Sequence, residues 1–97
     1  SWATVTTGVT GITSAANATA ITIDSSEDCN FAGHLMPVVD NSKDLGSATK
    51  RWQNIYTTDL HLQNERGNWT VIEEENYLTL RNNKTNKIYK LVMEEIK

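Results

Sequence analysis

The sequence predicts a mainly β fold that cannot close a core of its own, and three observations carry that expectation. Thr and Asn are abundant while Ala and Leu are sparse, a composition that favours strands and turns over helices. Short stretches alternate apolar and polar residues and are bounded by turn formers. Near the C-terminal end, three such stretches sort onto one apolar face.

Residues 1–33 form the first segment. Val5-Thr6-Thr7-Gly8-Val9-Thr10-Gly11-Ile12-Thr13 holds isolated aliphatics and reads as extended or flexible chain, with too few triplets for a collagen-like repeat. Ala20-Ile21-Thr22-Ile23-Asp24 reads as a strand whose dry face carries Ile21 and Ile23. Ser25-Ser26-Glu27-Asp28 is a turn, and Cys29-Asn30-Phe31-Ala32-Gly33 a second strand. The resulting hairpin has too small an apolar face to be stable alone.

Residues 34–66 form a junction. Pro37 biases Met36 to an extended conformation. The run from Asp40 to Gly46 is dense in turn formers. Ser47 to Trp52 reads as one helical turn with Ser47 as its N-cap. Trp52, Ile55 and Tyr56 make an aromatic cluster, and Leu60-His61-Leu62-Gln63-Asn64 alternates with both leucines on one face. Glu65-Arg66-Gly67-Asn68 is the next turn.

Residues 67–97 predict a three-stranded antiparallel meander: Trp69 to Ile72, Tyr77 to Arg81 and Lys87 to Met93. Four-residue loops, Glu73 to Asn76 and Asn83 to Asn86, set Val71 against Leu78, Trp69 against Leu80, Leu80 against Tyr89 and Leu78 against Leu91. One face then carries Trp69, Val71, Leu78, Leu80, Tyr89, Leu91 and Met93, and any even loop length sorts them the same way.

That face needs a cover. A single chain of 97 residues buries about 60–65% of its unfolded surface at best, and only 38% of these residues are hydrophobic. The Leu60/Leu62 strand is the only lid available within the chain, and it is small. Sister copies are the simpler cover. Seven side chains at about 1.5–3 kcal/mol each would contribute at most on the order of 10–20 kcal/mol per chain, comparable to a whole domain's net stability. The expectation is an obligate oligomer.

Other classes find little support. The net charge of -3 with both signs present gives no footprint for nucleic acid. No apolar run approaches the length of a membrane helix. The single Cys29 excludes an internal disulfide.

Three stretches resemble phage fibre proteins. Thr19-Ala20-Ile21-Thr22-Ile23-Asp24-Ser25-Ser26-Glu27-Asp28, followed by Phe31-Ala32-Gly33, is similar to a phrase of fibre shafts. Asp44-Leu45-Gly46-Ser47-Ala48-Thr49-Lys50-Arg51-Trp52-Gln53-Asn54-Ile55-Tyr56 resembles an element of tail fibres and tailspikes that often precedes a terminal domain. The run from Gly67-Asn68-Trp69-Thr70-Val71 to Tyr89-Lys90-Leu91 resembles a short C-terminal tip of marine-phage fibre-like proteins. The resemblance implies an intertwined parallel homotrimer on the virion that reaches or binds the bacterial surface. It makes 1–33 a shaft segment, 34–66 a Trp/Tyr-locked junction and 67–97 a tip. The trimer core would comprise Ile21, Ile23, Trp52, Tyr56, Leu60, Leu62, Val71, Leu78, Leu80, Tyr89 and Leu91. Two features depart from the family. The residues after Tyr56 are too few for the self-cleaving chaperone domain of many such fibres. His61-Leu62-Gln63 lacks the second histidine of the His-x-His iron sites of some fibre tips, so no metal carries over.

Candidate chemistry is thin. Asp24, Ser26 and Asp28 mimic the first ligands of a calcium loop, but Cys29 stands where that loop needs Gly and Leu35 where it needs Glu. His34 and His61 are the only histidines, and His61 points away from the leucine face. Glu73-Glu74-Glu75 is a solvated hairpin tip rather than a placed carboxylate pair. Arg81, Lys84, Lys87 and Lys90 either touch anionic polysaccharide or balance the acids and guard strand edges.

The expectation is therefore a non-enzymatic fibre segment with no cofactor or metal, no nucleic acid and no membrane insertion, working among other tail proteins. A polysaccharide or protein receptor would meet Trp69, Tyr77 or Asn83, since aromatics stack on sugars and amides hydrogen-bond them. The alternatives are a fragment of a polysaccharide-degrading tailspike and a trimerisation module without receptor contact.

Overall fold

A computed structural model of the chain describes residues 10–97. The part of the Thr/Gly-rich opening from Val5 to Val9 lies outside the described residues. The chain divides into two compact units, one ending at Leu45 and one running Gly46–Lys97. Among the described residues there are six strands, all antiparallel in their pairings, and no helix.

The first unit holds a hairpin of β1 (Ile21–Ile23) and β2 (Cys29–Phe31). Ile21 faces Phe31 and Ile23 faces Cys29, so the alternation puts all four on one side. The turn closes with Glu27 N–H donating to Asp24 C=O at 3.0 Å and Asp24 N–H to Asp28 C=O at 3.0 Å. Glu27 takes the left-handed conformation, φ 67°. This is the three-residue hairpin loop in which a tight turn is followed by one left-handed residue, a place that usually holds Gly.

Between Phe31 and Asp59 no strand or helix forms. A stretch of that length without regular structure is unusual within a compact domain. The helical turn expected from Ser47 to Trp52 is absent. Ser47 does act as a cap, its Oγ accepting the Lys50 N–H at 2.9 Å. Its own N–H, however, donates back to Lys50 C=O at 2.9 Å. That reciprocal pair closes a turn and takes the carbonyl a helix would pass to residue 54. Gly46, the last of the run of turn formers, takes the left-handed conformation, φ +84°. A Cβ there would stand 3.1 Å from Lys50 C=O and 3.3 Å from Trp52 Cδ1, so the indole lies against the glycine.

The second unit holds four strands in sequence order: β3 (Asp59–Gln63), β4 (Asn68–Glu73), β5 (Leu78–Asn82) and β6 (Lys87–Lys90). Two expectations change here. The Leu60/Leu62 strand does not cover the meander; it pairs edge-on with β4 and makes a fourth strand. Asn64 N–H donates to Gly67 C=O at 2.9 Å, and a turn that tight leaves the strand beside β4 rather than above it. The loop between β4 and β5 is Glu74 to Tyr77, closed by Glu74 N–H donating to Tyr77 C=O at 2.8 Å. Val71 therefore faces Leu80 instead of Leu78, and Trp69 faces Asn82 instead of Leu80. The slip is even, so every side chain keeps its face. The β5–β6 register, with Leu80 opposite Tyr89 and Asn82 opposite Lys87, is the expected one. β6 ends at Lys90, before Val92 and Met93, though Leu91 N–H still donates to Leu78 C=O at 2.9 Å.

Candidate functional site

The two faces of the four-stranded sheet differ in kind. One row runs Leu60–Val71–Leu80–Tyr89 across all four strands. Beside it lie Leu62 and Trp69 on one flank and Leu78 and Leu91 on the other. Trp69 and Tyr89 meet with ring centroids 5.9 Å apart and tilted by 42°. This is the dry face, and it is open. Leu60, Leu62, Tyr89 and Leu91 are exposed, Trp69, Val71, Leu78 and Leu80 half-buried.

The opposite face carries the sheet's best-sheltered groups, and they are polar. Thr70 is 1% exposed and Thr79 7%, while no hydrophobic side chain among the described residues is buried. A hydrogen-bonded clamp surrounds Thr70. Asn83 Nδ2 donates to Thr70 Oγ1 at 2.9 Å and to Asn68 Oδ1 at 2.9 Å. Arg81 Nε donates to Asn83 Oδ1 at 2.8 Å, and His61 Nδ1 lies 3.2 Å from Thr70 Oγ1. At the other end of this face Thr79 Oγ1 donates to Glu74 Oε1 at 3.4 Å, and Lys90 Nζ sits 4.6 Å from the centre of the Tyr77 ring.

Polar groups inside and hydrophobic groups outside is the reverse of a self-contained globule. The sheet's internal order thus rests mainly on its hydrogen-bond ladder and polar clamp, and its dry face is only half covered.

The sequence-predicted residues fall in three places. Leu60, Leu62, Val71, Leu78, Leu80, Tyr89 and Leu91 share the dry face of the sheet. Ile21 and Ile23 share the hairpin's dry face with Cys29 and Phe31, all exposed. Trp52 rests against Gly46, and Tyr56 is 92% exposed. The three suggested receptor contacts do not converge. Trp69 lies on the dry face, beside a shallow, open groove of about 320 Å³ lined by Leu62, Gln63, Asn64, Arg66 and Gly67. Tyr77 and Asn83 lie in the loops at opposite ends of the sheet, Tyr77 under Lys90 and Asn83 with both amide hydrogens committed to the clamp.

Among the suggested cations, Lys84 Nζ donates to Arg66 C=O at 3.1 Å and ties two hairpin loops together. Asp24, the first residue of the calcium-like phrase, spends Oδ1 on the N–H groups of Ser26 at 2.9 Å and Asp28 at 3.1 Å. These bonds hold its carboxyl below the ordinary carboxylate value, with Asp28 the larger cause, Ser26 next and Asn30 assisting. The Thr70 clamp was not singled out from the sequence. Its signal is parity: once β3 joins the sheet, His61, Thr70 and Arg81 fall in one row.

Compared with protein-family models, curated proteins and solved structures, the chain matches none. No helix among the described residues is long and apolar enough to cross a membrane.

Proposed function

We propose that the chain is a structural segment of a phage tail fibre, a homotrimer on the virion that joins its copies through apolar strand faces and serves host attachment. The observation that carries this reading is the uncovered row Leu60–Val71–Leu80–Tyr89 with its flanking leucines. A second support is the separate hairpin face of Ile21, Ile23 and Phe31, equally uncovered. A third is the likeness of residues 44–56 to the junction element of tail fibres. The mechanism is mechanical and adhesive. Each chain supplies a ladder-bonded sheet whose dry face is completed by its sisters, while the hairpin loops and the polar face look outward to a receptor or to other tail proteins.

Sedimentation at micromolar concentration tests the assembly. The expected result is a species of three chains with no folded monomer; a folded monomer overturns the reading. Binding of the assembled protein to host cells tests attachment, and assembly without binding reduces the role to trimerisation.

A further inference from the structure

The sheet has two open edges, and we infer that they are made for each other: β6 of one copy pairs antiparallel with β3 of the next. This rests on the oligomeric reading above and goes beyond it by naming the contact.

Hydrogen-bond phase identifies which backbone groups the edges offer. Asn64 N–H donates to Gly67 C=O, so Asn64 is a bonded partner of β4 and, by alternation, so are Leu62 and Leu60. The N–H and C=O groups of Asp59, His61 and Gln63 therefore point to the open side. Leu91 N–H donates to Leu78 C=O, which turns Tyr89 and Lys87 toward β5 and leaves Ile88 and Lys90 pointing outward. Among the described residues, no backbone hydrogen bond joins either edge to another segment; Asp59 C=O accepts only the Thr57 hydroxyl at 3.1 Å and keeps a second lone pair.

One register joins matched backbone groups, matched faces and a pair of opposite charges. With Lys90 opposite the next copy's Asp59, all of β6 is paired, outward groups meet outward groups, and the two faces continue from copy to copy, with Lys87 meeting Leu62 at the end of the dry one. Tyr89 then meets Leu60, so the dry row runs unbroken from copy to copy. Lys90 and Asp59 are of opposite charge and share the polar face. Within one chain they cannot meet, because Asp59, Ile72, Thr79 and Lys90 form one row with three strand spacings, about 14 Å, between its ends. A one-residue slip would set Lys90 against Leu60 and mismatch both the bonds and the faces. The contact is head-to-tail, and such contacts close into rings when the rotation allows.

The test uses the full chain in a Cys29→Ser background. Leu60 and Tyr89 form a non-bonded pair across this contact, where Cα atoms lie about 4.5 Å apart, within disulfide reach. Oxidation of a Leu60→Cys, Tyr89→Cys variant is expected to give a covalent ring with the mass of the native oligomer. Because those changes thin the dry face, a surface pair is read as well. Asp59→Lys or Lys90→Asp alone is expected to weaken association by several-fold to about tenfold, and the two together to restore it. A native-sized oligomer with neither cross-link nor rescue overturns the edge contact and leaves the oligomeric reading standing. A monomer overturns both. A covalent ring of two chains supports the contact and overturns the trimer.

Discussion

The sheet of β3 to β6 and the hairpin of β1 and β2 both display an uncovered apolar face, yet they are held in different ways. The sheet has two central strands, and its polar face is locked by the Thr70 clamp, with Thr70 almost wholly sheltered. The hairpin has three cross-strand pairs, no second layer and no buried residue. A two-stranded ribbon is marginal alone, whereas three or more strands with a dry face become stable once that face is covered. On the proposed reading the sheet is a prepared part awaiting its counterpart, and the hairpin depends on whatever covers it from the start.

That contrast breaks most visibly at Leu80, which sits at the centre of the dry row between Val71 and Tyr89. Replacing it with Asn is expected to abolish the proposed oligomer, since each copy loses about 1.5–3 kcal/mol of burial and places an amide in the seam. Sedimentation reads the loss. The matching change in the hairpin, Ile23→Asn, is expected to leave the oligomer intact and loosen only the first unit.

Next in size is the clamp. Asn83→Ala removes both hydrogen bonds to Thr70 Oγ1 and Asn68 Oδ1 and frees Arg81. The sheltered Thr70 oxygen then loses a donor, at a cost of about 1–3 kcal/mol. The expected outcome is a lower urea midpoint for the sheet, with the oligomer's mass unchanged.

Much of the sheet was legible in the sequence because parity is a robust signal. The β4–β5 register differs from the expected one by an even step, and the faces survived it. What period two does not encode is whether a strand lies beside a sheet or over it, so the Leu60/Leu62 strand read as the only lid candidate within the chain, and a small one, and turned out to be an edge. The answer lay in Asn64, whose Oδ1 accepts the N–H groups of Arg66 at 2.8 Å and Gly67 at 3.1 Å and tightens that turn. The helical turn at Ser47 failed for a similar reason. A serine that caps a helix and a serine that closes a turn offer the same oxygen to the same N–H, and the difference lies in where the next carbonyl goes. The Thr70 clamp depends on side chains from β3, β4, β5 and a loop, so it becomes visible only after all four are placed.

Two backbone positions sharpen the comparison further. Gly46→Ala is expected to cost about 1–2 kcal/mol, because a Cβ at φ +84° is disfavoured and would press on Lys50 C=O and the Trp52 ring. A drop in the unfolding midpoint of the second unit checks it. In the hairpin the opposite sign is expected. Glu27 occupies a left-handed position, φ 67°, so Glu27→Gly relieves strain and should stabilise the hairpin by up to about 1 kcal/mol. Slower exchange of the Ala32 N–H, which donates to Ala20 C=O at 2.8 Å, is the readout.

The smallest effect belongs to Asp24. Its carboxyl titrates below the ordinary value of 3.8 in the folded hairpin because Asp28 and Ser26 N–H groups donate to the ionised form. A depressed folded pKa means the charged form favours folding. The contribution is fully present above the unfolded pKa and fades as pH falls through the lower folded one. Acid should therefore loosen the β1–β2 turn. Asp24→Asn keeps an acceptor oxygen but no titration, so its hairpin should show the same amide shifts at Ser26 and Asp28 on both sides of the carboxylate range. If those amides titrate as strongly in the variant as in the parent, the turn's acid response does not come from Asp24.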